Sequence, residues 1–343
     1  MKKSILSALL ILAMASISFA QAPKTWYRIA NKIHVEGDGG WDYLSFDEAT
    51  SRLFISHGMV VQVLDVKDKS VVATIPDTKG VHGIALAKDL NKGFISNGRD
   101  TSVTVFDLKT LQVLKRVKVT GNNPDAILYD PFTHRVFTFN GRSSNATVID
   151  ANTEKVIGTI PLPGKPEFSV SDGAGKIYVN LEDKSQLCMI NPTTLTVEKT
   201  WPVAPGEGPS GLAIDLTNHR LFAVCGNKLM IVLDAESGEV VAKVEIGDRV
   251  DAVCFDPALQ RVYTSNGEGT MTVVQEENKN SFMVLENFPT QKGAKTIAIN
   301  TKTHKLYLSA AEYEAAPAAT AENPRPKAPV KSNTFTILEI EPM

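Results

Sequence analysis

Apolar and polar positions along this chain recur in a fixed order. A short apolar stretch ends in an acidic or related residue, a polar turn follows, and a second apolar run comes after it. The first stretch appears seven times, as in Asp42-Tyr-Leu-Ser-Phe-Asp47, Asp125-Ala-Ile-Leu-Tyr-Asp130 and Asp251-Ala-Val-Cys-Phe-Asp256, and its copies end at Asp47, Ala87, Asp130, Asp172, Asp215, Asp256 and Asn300. The spacing stays near 42 residues. The turns, such as Pro131-Phe-Thr-His-Arg135, begin with an Asp whose side chain can accept a hydrogen bond from the backbone two residues on. The second runs include Leu53-Phe-Ile-Ser-His57 and Val262-Tyr-Thr-Ser-Asn266. A third strand ends in Asp65, Asp107, Asp150, Asn191 and Asp234, and a fourth follows a further turn.

Four short strands per unit, no sustained helical period and a repeat near 42 residues predict an all-β fold, a seven-bladed β-propeller. The last unit supplies three strands, Thr296 to Ile299, Lys305 to Ser309 and Thr334 to Glu339. The segment from Trp26 to Val35 resembles the fourth strands, so the N-terminal strand is expected to complete the last blade and cover its edge. Residues 21–343 then make one domain, with a Pro- and Ala-rich insertion over 310–333 whose composition predicts an irregular loop without a role of its own, the alternative being a lid or partner-binding arm.

The first twenty residues carry Lys2 and Lys3, an apolar run from Ile5 to Ile17, and Ser18-Phe19-Ala20. This reads as a cleavable signal peptide, shorter than a bilayer span, and predicts a periplasmic or secreted protein without a membrane span. With 36 basic and 38 acidic side chains and a formal net charge of −2, the chain offers no long-range field for polyanions. Nucleic acid is therefore not the expected partner; a small-molecule ligand or an exported protein is, with the chain itself a monomer. Cys188, Cys225 and Cys254 are odd in number, lack metal-ligand spacing and read as small buried hydrophobes.

In a four-stranded blade the innermost strand begins, and the second strand ends, on one face of the ring. The inner-strand starts read Asp42, His82, Asp125, Glu167, Ser210, Asp251 and Lys295, and six of these seven are ionisable although the repeat does not demand it. The second-strand ends and their loops add His57, Asn97, Arg99, Asn140, Arg142 and Asn266. Together these residues form the expected ligand-binding face. In Asn97-Gly-Arg99 and Asn140-Gly-Arg142, glycine is expected to permit a tight turn and the guanidinium to fork onto an anion. Four carboxylates converging with His82 also suit a divalent metal. No nucleophile elbow, phosphate loop or nucleotide-binding glycine motif is present. A binding protein is the leading expectation. A hydrolase or lyase with His82 or His57 as base, or a structural cell-surface component, are the alternatives.

Phe94-Ile-Ser-Asn97, Tyr178-Val-Asn180 and Tyr263-Thr-Ser-Asn266 resemble the repeat of the YVTN-type, YncE-like propellers, and the resemblance runs through all seven units. His57 and Cys225 stand where that repeat has Asn, and Leu306-Tyr-Leu-Ser-Ala310 lacks it. The resemblance implies a seven-bladed fold and an extracytoplasmic location. It implies no single activity, since such propellers include binding surfaces, lactonase-like enzymes and surface-layer components.

Overall fold

A computed structural model describes residues 25–318, 320 and 326–343; the signal-peptide reading falls outside them. Seven four-stranded antiparallel sheets are each built from strands consecutive in sequence, except the seventh. The inner strands are Trp41–Asp47, Val81–Ala87, Pro124–Asp130, Pro166–Ser171, Pro209–Asp215, Val250–Asp256 and Thr296–Asn300. Each packs on the inner strand of the next blade, and the first packs on both the second and the seventh, which closes the ring. Hydrophobic clusters lie between neighbouring blades, where the strands of one blade face those of the next. Outer strands such as Val113–Lys118 and Lys155–Pro161 are largely exposed, each burying a single residue near its end.

The seventh sheet runs Thr296–Asn300, Lys305–Ala310, Thr336–Pro342 and then Tyr27–His34, paired from Tyr27↔Pro342 to His34↔Thr336. The N-terminal strand thus fills the outer place of the last blade. It is also clasped to the sixth blade: the Tyr27 and Tyr263 hydroxyls lie 2.8 Å apart, and Arg261 Nη1 donates to the Tyr27 hydroxyl at 2.9 Å. The Arg261 guanidinium lies over the Trp26 ring, 5.4 Å from its centre.

The turns between the first and second strands follow the Asp rule. Asp47 accepts from the Ala49 amide, Asp215 from Thr217 and Asp256 from Ala258, at 2.8–3.2 Å. Basic residues end several of these turns, and one of them is buried. Arg220 is buried, donating from Nη1 to Asp234 at 2.7 Å and from Nε to the Lys279 carbonyl at 2.6 Å. Cys188 and Cys225 are buried free thiols.

Two breaks from regularity bear on the functional face. Six inner strands slip register near their first residues: between Trp41 and Leu44, Val81 and Ile84, Pro124 and Ile127, Pro166 and Ser169, Pro209 and Leu212, and Val250 and Ala252. A bulge of this kind turns one side chain out of the pleat. In four blades a polar penultimate residue of the second strand bonds backbone groups near these bulges. Ser56 donates to the Tyr43 carbonyl at 3.1 Å, Ser96 accepts from the Gly83 amide at 2.8 Å, and Asn180 donates to the Gly211 carbonyl at 3.0 Å. Several of these residues also reach the next blade, as Ser265 does to the Lys295 carbonyl at 2.5 Å.

The second break is the insertion in the last blade. Its described part begins as a narrow hairpin rather than a free loop: Tyr313 and Val330 form a bridge, Glu314 N donates to the Pro329 carbonyl at 2.9 Å, and Lys331 pairs with Glu312 at 3.0 Å. Asp38 fastens its return, accepting from the Ser332 hydroxyl and the Asn333 amide at 2.8 and 2.9 Å.

Removing Tyr27–His34 should lower Tm by roughly 5 °C or more, because the last blade loses a strand and its clasp to the sixth. Differential scanning calorimetry showing an unchanged transition would contradict the closure. A second test concerns Glu276, fully buried in the third strand of the sixth blade, where Asn218 donates to its Oε1 at 3.0 Å. Burial first, then the charge of Asp215, push its carboxyl up to about 7. A raised native pKa favours folding below the ordinary value of 4.5, and that advantage disappears as pH climbs through about 7. Glu276→Gln should therefore raise Tm by about 2 °C or more at pH 8 and change it little at pH 4.5; an equal shift at both would rule out titration of this carboxyl.

Candidate functional site

The bulges bring the inner-strand column to one mouth of the central channel. Asp42, Asp125, Glu167, Ser210, Asp251 and Lys295 line a cavity of about 140 Å³ there. His82 completes the set: its Nδ1 lies 2.6 Å from Asp42 Oδ2 and 3.5 Å from Asp125 Oδ1. Lys165, from the loop before the fourth inner strand, reaches Glu167 at 2.7 Å and also pairs with Glu182. Lys295 approaches Asp251 at 3.3 Å. All seven members of the column thus meet at or beside one cavity.

Electrostatics at the mouth reflect many negative groups in little water. Burial, only partly offset by His82, pushes the Asp125 carboxyl up to about 6. Burial likewise pushes Glu167 up to about 7 despite its hydrogen bond to Lys165. Asp251 is raised by burial against the pull of Lys295. Desolvation works against the charged His82 ring, but the Asp42 hydrogen bond and the Asp125 charge outweigh it and raise the pKa. Burial lowers that of Lys295 less than the Asp251 and Asp42 charges raise it.

Two aromatic rings form the floor. Tyr43 and Phe168, from the first and fourth blades, stack across the channel with ring centres 4.9 Å apart and planes 27° from parallel. The channel below them opens into a second cavity of about 290 Å³ walled by residues such as Ile84, Ile127 and Leu128. The Tyr43 phenol has its pKa well above the usual 10, by burial first and then by the charges of Asp125, Asp42, Glu167 and Asp251. Sequence reading passed over this pair, although its signal was present. The residue after each column member is Tyr43, Gly83, Ala126, Phe168, Gly211, Ala252 or Thr296: two aromatics among five small residues. The small ones leave the space that the two rings fill.

The second-strand set divides. Asn97, Asn140 and Asn266 are fully buried and do not reach the mouth. Their amides clamp the second strand to the third: Asn97 donates to Ser102 and Thr104, Asn140 to Asn145 and Thr147, and Asn266 to Thr270 and Thr272, at 2.7–3.1 Å. The polar end of the repeat is thus a strand fastener, which corrects its reading as ligand contact. His57 is also withdrawn from the face. It is 2 % exposed, stacks on Phe335 at 4.0 Å, and gives its Nδ1 proton to Gln62 Oε1 at 2.8 Å. Gln62 spends its amide on the Glu36 carbonyl, so Oε1 must accept, and desolvation lowers the His57 pKa. A neutral, buried imidazole of this kind is no solvent-facing base.

Arg99 and Arg142 are exposed on the same face as the mouth, in the loops after the second strands. Asp100 pairs with Arg116 and Glu182 with Lys165, leaving both arginines without an ion-pair partner among the described residues. The intervening glycines lie in the turns, as where Ser143 N donates to the Asn140 carbonyl at 3.1 Å, but the left-handed positions are Thr101 and Ser144. Gly98 is needed for a different reason, since a Cβ there would lie 2.7 Å from His82 Nε2. Among the described residues, Asp42, His82 and Asp125 are also the one group whose ligand atoms lie close enough together for a metal ion, within 4.8 Å of one another.

Ring and pocket define a seven-bladed β-propeller with an acidic, aromatic-floored cavity at one channel mouth. No protein-family model matches the chain, and no curated protein matches it either. Among solved structures, one match is a chain of Kuenenia stuttgartiensis hydrazine synthase, with 16% identity and a TM-score of 0.68 over 80% of this chain and 94% of that one. Another belongs to the mitotic checkpoint complex, with 12% identity and a TM-score of 0.75 over 99% of each chain. Likeness at such identities shows the propeller fold alone.

Gly98→Ala should force His82 away from Asp42 while leaving the ring folded. Loss of the low-field Nδ1 proton resonance expected of the His82–Asp42 bond, at a Tm within about 3 °C of the unmodified protein, would be the result; an unchanged resonance would mean the loop yields instead of the histidine.

Proposed function

We propose that this protein is an exported binding protein that holds a small polar ligand at the channel mouth. The observation that carries the reading is the convergence of Asp42, Asp125, Glu167 and Asp251, from four separate blades, on one cavity. Such a cluster raises the energy of the empty protein, as the raised pKa values of Asp125 and Glu167 express. A ring held together by apolar blade contacts gains nothing from it. The leader-like first twenty residues and the resemblance to YVTN-type propellers support the exported location. Hydrolysis draws less support, because His82 hydrogen-bonds to a carboxylate and, among the described residues, to no Ser or Cys nucleophile.

The reading separates from a purely structural one by the sign of a stability change. Asp125→Asn keeps the size and removes a buried charge, so at pH 8 its Tm should equal or exceed that of the unmodified protein. A thermal-shift screen with calcium chloride, 1,4-diaminobutane, glucose and citrate should yield at least one stabilising compound, with affinity reduced about tenfold or more in Asp125→Asn. A destabilised variant, with no compound acting on the unmodified protein, would leave the aspartate a structural residue and overturn the proposal.

A further inference from the structure

The ligand class can be narrowed from the shape and charge of the same cavity, and this step rests on the binding reading above. We infer that the channel mouth is a dead-end pocket for a small primary ammonium compound, its charged head among the four carboxylates and its apolar stem on the Tyr43–Phe168 floor.

The charge balance sets the sign. Against the carboxylates of Asp42, Asp125, Glu167 and Asp251 stand Lys165, Lys295 and a protonated His82, and Lys165 is shared with Glu182. The cavity is thus at least one positive charge short. Hydrogen bonding sets the type of cation. Tyr43 is half-buried in the cavity lining, where the charges of all four carboxylates act on its phenol and no described side chain hydrogen-bonds it. Carboxylate oxygens and a phenol oxygen together ask for a ligand rich in N–H donors, which an ammonium group has and a quaternary ammonium group lacks.

The lower wall sets the rest of the molecule. Leu44, Phe168, Ala252 and Ile297 line the cavity together with the Tyr43 ring. An apolar stem buried there is stabilised by the hydrophobic effect. The stack across the channel limits depth, so the ligand enters and leaves by the same mouth.

A bare metal ion fits less well. Ca²⁺ takes six to eight oxygens at about 2.3–2.6 Å, whereas these carboxylates stand on four blades around a 140 Å³ space. In the tightest group the three side chains already serve one another, His82 Nδ1 lying 2.6 Å from Asp42 and 3.5 Å from Asp125. Proton uptake is how the empty site offsets its charge, since Asp125 and Glu167 are pushed to about 6 and 7. An ammonium ligand would take the place of those protons. Affinity should then rise between pH 5.5 and pH 8, with His82, Lys165, Lys295, Asp42 and Asp251 as the other charged groups facing the site.

The test is isothermal titration of the mature protein with n-butylamine, tetramethylammonium chloride, 1-butanol, calcium chloride and manganese chloride at both pH values. Butylamine should bind more tightly at pH 8 than at pH 5.5, with proton release visible as a buffer-dependent enthalpy, and more tightly than tetramethylammonium or butanol by about tenfold. Tyr43→Phe, which keeps the ring and removes the phenol oxygen, should weaken butylamine while sparing any metal binding. Calcium or manganese binding that Asp125→Asn abolishes, without butylamine binding, would overturn the amine inference and leave the binding reading intact. Equal affinity for tetramethylammonium, or an unaffected Tyr43→Phe variant, would overturn the hydrogen-bonding argument and with it the inference. Failure of all five compounds, together with the failed compound screen described above, would overturn both.

Discussion

The break in register near the start of six inner strands is the constraint on which the rest of this protein's working face depends. A regular strand would alternate its side chains between blade interfaces. The bulge instead turns one residue per blade toward the axis, and the backbone groups it frees must be paired. Ser56, Ser96, Asn180 and Ser265 do this from the second strands, some of them reaching into the following blade. Local hydrogen bonding, the contact between blades and the placing of the mouth residues are thereby one arrangement.

The ring was legible because its cause is periodic. Copies of one pattern at a spacing near 42 residues admit few architectures, and the resemblance of Trp26–Val35 to the fourth strands located the missing strand. The axis-facing column was legible for the same reason, since Asp42, Asp125, Glu167 and Asp251 occupy equivalent places. What failed was the inference from polarity to exposure at the second-strand ends. Asn97, Asn140 and Asn266 are polar because neighbouring strands need fastening, with Ser102, Thr104, Asn145, Thr147, Thr270 and Thr272 as partners that only a pairing register reveals. His57 misled likewise: its partner Gln62 lies in the next strand, and its stacking partner Phe335 almost the whole chain away. The floor was missed because it depends on size, not polarity, at a single repeat position.

Stability and binding pull against each other at the mouth. Blade interfaces made of side chains such as Phe54, Phe94, Phe137 and Phe222 hold the ring together. They tolerate a cluster of like charges at one end of the axis that would be costly in a smaller fold. Lys165 and Lys295 reduce the repulsion without abolishing it, and burial first, with the neighbouring acids adding to it, raises the Asp125 and Glu167 carboxyls. A site of this kind is set before any ligand arrives, because the four carboxylates and His82 stand on inner strands packed on both flanks and not on free loops.

The outer strand of the seventh blade has a consequence for how the molecule comes into being. Tyr27 pairs with Pro342, so the earliest described strand and the last must find each other across the whole chain. The loop-closure entropy of that contact is near the largest the chain can incur, and folding rates fall as contacts become less local. Six blades can form from consecutive segments while the seventh waits with an unpaired edge. Until it closes, the nascent ring is an open arc with two sticky ends, and a second open arc is the natural competitor for each of them. Crowding of newly made chains, more than heat, is then the condition under which this otherwise robust disc is most exposed to misassembly.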